Sequence, residues 1–168
     1  MNETTKYYDA HEDVRKYHPK RGQIRALPAD RKRIIFRNEF GKYHNLNGPS
    51  IIHKNGNVEW FVDGVRHRLD GPAAIRWDCK IEWWVNGQLH NDYGPAVVYK
   101  MGTRMWYKHG ELHNSNGPAA TYRNGTCGWY IHDKCVNDVM EKWMNDRGVE
   151  SYPWDEDTEI QFRLDPPI

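Results

Sequence analysis

Four of the nine histidines, His44, His67, His90 and His113, stand 23 residues apart. A row of imidazoles invites a metal-binding reading, because neutral imidazole is a common zinc ligand. The spacing argues against it. If each interval is one two-stranded unit, neighbouring histidines lie roughly 10 Å apart, whereas two zinc ligands must come within roughly 4 Å of each other. Each imidazole is instead expected to bond the backbone of its own Asx-Gly-Pro loop, whose polar groups need partners. His67 with Asp70, and His109 with His113, are the candidate proton-transfer pairs. The Asp70 slot, however, holds Asn47, Tyr93 and Asn116 in the other units, and acid–base work needs a carboxylate at one tuned place. Cys79, Cys127 and Cys135 have no identifiable base, and no P-loop, GxSxG, HExxH or CxxC pattern occurs. The chain therefore reads as a non-enzyme with no cofactor and no metal.

Charge is uneven although the total is +1. Residues 1–33 carry nine basic and five acidic side chains, and residues 133–168 carry four and ten. The basic head could touch nucleic-acid phosphates, and aromatic rings could stack bases, but the middle of the chain interleaves Glu and Asp with its cations. Nucleic acid is the weaker partner expectation. A few cysteines, no apolar leader and no apolar run long enough to span a membrane point to the cytoplasm.

The elements that position these groups follow from the repeat. Gly-Pro-small recurs at residues 48, 71, 94 and 117, and the same step links Trp60, Trp83, Trp106 and Trp129. Behind each Trp comes a second aromatic: Phe61, Trp84, Tyr107 and Tyr130. Gly41, Gly64, Gly87 and Gly110 form a further column. Each unit reads as two strands, with Pro opening the first, where its missing N–H is tolerated. Asn55-Gly56, Met101-Gly102 and Asn124-Gly125 predict two-residue type I′ turns, and Asp78-Cys79 a looser one. That turn length sets Ile51 opposite Trp60 and Ser50 opposite Phe61, with the same pairing in later units. The Trp column, among Val58, Val62, Ile81 and Val85, is expected in the core. The second aromatic column, among Glu59, Glu82, Lys54 and Lys100, is expected to be at least partly exposed. Arg33–Phe40 reads as a leading half-unit.

These columns resemble the MORN-like repeats, in the variant with Trp-x-x-x-Gly-x-x-His followed by Asx-Gly-Pro-Ala. The pattern is clearest from Trp60 through Asp63, Gly64, His67 and Asp70 to Ala73. That variant is similar to repeats of uncharacterised phage and giant-virus proteins. The resemblance covers residues 33–132 and implies a repeat sheet, no catalytic residues and, if the source is viral, a host factor in the host cytoplasm as partner.

Beyond the repeats, Val136, Val139, Met140, Trp143 and Met144 form one helical stripe, which predicts a capping helix over Asp133–Arg147 with Asp133 or Asp138 near its start and Gly148 as its stop. The acidic tail around Trp154, with Ile160, Phe162 and Leu164, is expected to fold back. The architecture is thus an all-β, single-layer antiparallel meander of about nine strands with a C-terminal capping helix. Its parts are a polar, basic segment (1–31), the repeat sheet (32–132), and the helix with its acidic tail (133–168). The expected function is a rigid scaffold that binds another macromolecule, a protein first, through Phe61, Trp84, Tyr107 and Tyr130. Two alternatives stay open. One is a protein that sequesters a small molecule or nucleotide, held between an aromatic slot and Arg66, Arg68, Arg76 or Arg104. The other is a self-associating structural subunit, as a homodimer.

Overall fold

The computed structural model describes residues 33–167, so the basic segment of residues 1–31 lies outside the described residues. The leading half-unit supplies β1 (Arg33–Ile35). The first repeat supplies β2 (Ile51–His53), β3 (Val58–Glu59), β4 (Phe61–Val62) and β5 (Val65–Arg66). The second gives β6 (Ala74–Ile75), β7 (Ile81–Glu82), β8 (Trp84–Val85) and β9 (Gln88–Leu89). The third gives β10 (Val97–Val98), β11 (Arg104–Met105), β12 (Tyr107–Lys108) and β13 (Glu111–Leu112). The fourth gives β14 (Ala120–Thr121), β15 (Cys127–Gly128), β16 (Tyr130–Ile131) and β17 (Lys134–Cys135). Nine of these form one antiparallel sheet in the order β1-β2-β3-β6-β7-β10-β11-β14-β15, and the others pair as four small hairpins. The sheet is the expected meander. The hairpins were not expected, because the stretch after each Trp-aromatic pair reads as loop.

The turns differ from expectation, and with them the register. His53 N–H donates to Asn57 O at 2.8 Å and Gly56 N–H to His53 O at 3.0 Å, closing a three-residue loop in which only Gly56, at φ +94°, is left-handed. This is a type I turn completed by a glycine bulge, not a two-residue type I′ turn. Asp78-Cys79 is no looser: Arg76 N–H reaches Lys80 O at 2.9 Å, and Cys79 takes the left-handed slot at φ +64°. Asp78 substitutes for Asn because its carboxylate accepts the Lys80 N–H, as Asn55 and Asn124 accept from Asn57 and Thr126. The type I′ turns sit instead at Asp63-Gly64, Asn86-Gly87, His109-Gly110 and His132-Asp133, where both residues have positive φ.

The extra loop residue slips the pairing by one. Ile51 lies opposite Glu59, Ala74 opposite Glu82, Val97 opposite Met105 and Ala120 opposite Gly128. Ile51 therefore does not face Trp60, nor does Ala74 face Trp83. One cross-strand row runs Ile51, Glu59, Ala74, Glu82, Val97, Met105, Ala120, Gly128. The adjacent row, Val58, Ile75, Ile81, Val98, Arg104 and Thr121, points to the other face. Val58, Trp60, Ala73, Ile75 and Ile81 form the main core cluster. Trp60 and Trp129 are buried, whereas Trp83 and Trp106 are half-buried.

The small hairpins are tied to one another. Gly64 N–H donates to Tyr43 O, Gly87 to Arg66 O, Gly110 to Leu89 O and Asp133 to Leu112 O, at 2.8–3.1 Å. Each type I′ turn thus leans on the hairpin one repeat before it, and contacts stay between neighbours as in other repeat arrays.

Two helices, not one, close the last repeat: α1 (Asn137–Asp146) and α2 (Glu156–Leu164). α1 starts later than the stripe suggests because Asp133 is used in the final type I′ turn; Val136 is its N-cap, without a side-chain cap, and Asp138 lies in its first turn. Cys135 correspondingly belongs to β17 and not to the helix start. Gly148 ends it at φ +67°, with Val149 N–H on Met144 O at 2.9 Å. The tail folds back as α2, capped by Asp155, whose carboxylate accepts the Thr158 N–H at 2.8 Å. Trp129, Met140, Trp143, Trp154 and Phe162 make a second core, with the Trp129 and Trp154 rings stacked at 5.2 Å. Val139, Ile160 and Leu164 are left exposed.

Candidate functional site

The row that begins at Ile51 is buried along its length up to Val97, including its two carboxylates, Glu59 and Glu82. Burying a charge is costly unless it is paired. In the first two repeats it is paired densely. Glu59 takes His53 Nε2 at 2.9 Å, Arg66 Nη2, and Arg76 Nη1 at 3.7 Å. Arg76 reaches on to Glu82 at 3.7 Å, and Lys80 Nζ meets Glu82 at 2.6 Å. Burial works to raise the Glu59 carboxyl, but His53, Arg66 and Arg76 outweigh it and hold its pKa below the ordinary value. Burial likewise works against the charge on Lys80, and Glu82 reverses it, raising the ammonium pKa. Phe61 and Trp84 frame this network: the Arg66 guanidinium sits 5.1 Å from one ring and 5.0 Å from the other.

In the third and fourth repeats the same positions change chemistry. Met105 and Gly128 replace the carboxylates, and Tyr99 and Tyr122 replace His53 and Arg76. Tyr107 and Tyr130 continue the aromatic column. Tyr99 and Tyr122 are 37% and 39% exposed, while Tyr107 and Tyr130 are half-buried. Tyr130 lies across Gly128, where a Cβ would come within 2.8 Å of its ring. Burial, with the neighbouring Tyr99, raises the Tyr107 pKa. Lys80, 5.1 Å from the Tyr99 ring, marks the border between the two halves. Tyr99 and Tyr122 escape sequence reasoning because their column opens with His53 and Arg76 and does not read as aromatic.

The four candidate arginines do not converge. Arg66 and Arg76 meet at Glu59. Arg68 is buried at the loop edge, donating from Nε to Asp70 at 2.8 Å and from Nη1 to Pro72 O at 3.1 Å, with its guanidinium 4.3 Å from the Trp60 ring. Arg104 lies in the row of Val58 and Ile81, on the opposite face. An open hollow at the turn edge, lined by Thr103, Tyr122, Arg123, Asn124 and Thr126, includes none of them.

Although His90 pairs through Nε2 with the Asp92 carboxylate of its loop at 3.2 Å, the histidines do not bond the backbone of their own loops. That work falls to the next residue: Asn45, Asn91 and Asn114 donate from Nδ2 to the carbonyls of Pro49, Pro95 and Pro118 at 3.0 Å, as Arg68 does to Pro72. The imidazoles reach one repeat further. His44, His67 and His90 accept at Nδ1 from the backbone N–H of Asp63, Asn86 and His109, at 3.1–3.2 Å. They clamp the type I′ turn of the following hairpin, a contact between residues 19 apart in sequence. His113 breaks the series, since its Nδ1 is buried without a hydrogen bond. The suggested proton-transfer pairs dissolve: Asp70 pairs with Arg68, His109 stacks on His90 at 4.5 Å, and His113 packs on His132 at 4.3 Å.

Cys79, Cys127 and Cys135 are free thiols. Among the described residues no cluster of three or more His, Cys, Asp or Glu could hold a metal ion, and no helix is long and apolar enough to cross a membrane. Compared with protein-family models, curated proteins and solved structures, the chain matches none.

Proposed function

We propose that the chain is a non-enzymatic repeat scaffold, of MORN-like type, that binds another protein through the aromatic face of its sheet. The observation that carries this reading is the tyrosine half of that face. Tyr107 and Tyr130 lie on β12 and β16, and Tyr99 and Tyr122 directly follow β10 and β14; all four are partly exposed, and the positions equivalent to Tyr99 and Tyr122 in the first two repeats, His53 and Arg76, spend their side chains on ion pairs. Tyrosines contribute much contact area at little rotamer cost, which is why they anchor interfaces. The column of Phe61, Trp84, Tyr107 and Tyr130 divides accordingly: its first two rings are engaged by Arg66, and its last two are the contact residues. The sequestering alternative loses support because Arg66, Arg68 and Arg76 are each committed to a carboxylate partner. The test is affinity capture with the intact chain and with Tyr107→Ala/Tyr122→Ala. A partner retained by the first and lost by the second supports the reading; a partner held equally by both sinks it.

A further inference from the structure

We infer that the tyrosine half of the sheet is built to receive a proline-rich segment in the polyproline II conformation, laid across the strands. This rests on the scaffold reading above and names the partner's chemistry.

The first argument is spacing. Tyr99 and Tyr122 follow one another by one repeat, directly after β10 and β14, and Tyr107 and Tyr130 do the same on the hairpins β12–β13 and β16–β17. β10 and β14 are two strands apart in the nine-stranded sheet, so the Tyr99 and Tyr122 positions recur at roughly 9.6 Å. Polyproline II repeats every three residues at about 3.1 Å each, roughly 9.3 Å. A peptide crossing the strands thus offers the same edge to each ring in turn, one proline per repeat. A β-strand ligand, with its period of two residues at roughly 3.3 Å, would fall out of step.

The second argument is charge complementarity. Where the first repeats carry Glu59, Glu82, His53, Arg76 and Arg66, the third and fourth carry Met105, Gly128, Tyr99, Tyr122, Leu112 and Cys135. Lys80, at the border, is already held by Glu82. These columns themselves offer an acidic or basic peptide no counter-charge, and the single Arg123 that lines the hollow beside Tyr122 is no patch for a nucleic-acid backbone. An uncharged chain with a stiff apolar edge suits them. Polyproline II also leaves its carbonyls unbonded, and phenol hydroxyls are donors that can meet them.

The test uses a blocked polyproline peptide of about ten residues, long enough to cross both tyrosine repeats, titrated into the full-length protein by calorimetry and by amide chemical shifts. Binding with shifts centred on Met105, Tyr107 and Ala120 is expected, and a glycine–serine peptide of equal length should not bind. Tyr107→Ala should weaken binding about tenfold. Tyr122→Phe, which keeps the ring and the fold, should weaken it about threefold through the lost donor. Leu69→Ser, on the exposed loop edge, should leave it unchanged. No binding at millimolar peptide, binding indifferent to both tyrosine variants, or binding of a β-glucan oligosaccharide in its place would overturn the inference. If polyproline fails while a natural partner still requires Tyr107, the proline chemistry alone is wrong. If no binding of any kind requires Tyr107, the scaffold reading falls with it.

Discussion

One face of one sheet is covered in two ways. Over the first two repeats, Ile51 and Ala74 lie beneath a network of Glu59, Glu82, His53, Arg66, Arg76 and Lys80. Over the last two, Val97 and Ala120 lie beneath Tyr99, Tyr107, Tyr122, Tyr130 and Met105. The backbone is the same in both halves, down to the loop hydrogen bonds of about 2.9 Å that close each three-residue turn. The difference teaches that repeat architecture and surface chemistry are separable. Columns that build turns and loops keep their hydrogen bonds even where Cys79, Arg68 or Asp133 departs from the residue type, while columns that roof the sheet change chemistry altogether. Where the roof is ionic, its charged groups are taken up in ion pairs with one another, although Arg66 Nε, Glu82 Oε2 and the Trp84 indole N–H are buried without a hydrogen bond. Where it is phenolic, rings and hydroxyls remain to contribute.

The sharpest way to break the comparison is to disable the ionic roof. Glu59→Gln leaves Arg66, Arg76 and His53 around a neutral group, and the loss of a mostly buried partner should cost about 3 kcal/mol in urea unfolding. If the cost is no larger than that of Tyr107→Phe, expected at about 1 kcal/mol or less, the two roofs are energetically alike and the contrast fails. The next test transplants one roof onto the other. Met105→Glu buries an unpaired carboxylate and should cost about 2 kcal/mol. Adding Thr103→Lys, which recreates the Lys80–Glu82 geometry, should recover at least about 1 kcal/mol of it in a double-mutant cycle. A third test asks whether the loops are as uniform as they look. Asn114→Ala frees the Pro118 carbonyl and should cost about 1 kcal/mol, whereas Arg68→Ala, which also uncovers Trp60, should cost more.

The smallest effect is acid sensitivity at the far end. Burial pushes the His113 imidazole below its ordinary value, helped by His132 and Lys108 and opposed by Glu111. A depressed folded-state pKa means the unfolded chain takes the proton first. The stabilisation is therefore present above the ordinary histidine pKa and is lost as pH falls towards the lower folded-state value. Amide exchange at His132 and Leu112 should accelerate as pH is lowered through that window, after correction for intrinsic rates. His113→Asn should abolish the pH dependence. Glu59 acts over a lower range: its depressed pKa keeps the ionic half intact until pH falls below the ordinary carboxylate value.

Much of this was legible in the residues. The 23-residue period, the Trp core, the helical stripe with its stop at Gly148 and the return of the tail all follow from local pattern and hydrophobicity. The turn types were not legible, because Asn55-Gly56 suits either a type I′ turn or a glycine bulge, and Asp63-Gly64 suits a type I′ turn equally well. Which pair takes which turn depends on how the flanking strands meet. The histidine clamp was invisible for a related reason: its partner is a backbone N–H in the next repeat. Tyr99 and Tyr122 do not stand out in the sequence because their place beside Tyr107 exists only once the register is known.

The sequence by itself determined the repeat, the β architecture and the burial of Trp60 and Trp129, since each rests on periodicity and on what water excludes; Trp83 and Trp106 are only half-buried. The tertiary structure decided the register, and with it which side chains share a face. A single extra loop residue moves every partner across a strand pair by one, and side chains alternate faces with a period of two. That small shift put Glu59 and Glu82 opposite Ile51 and Ala74, and so separated an ionic roof from a tyrosine one.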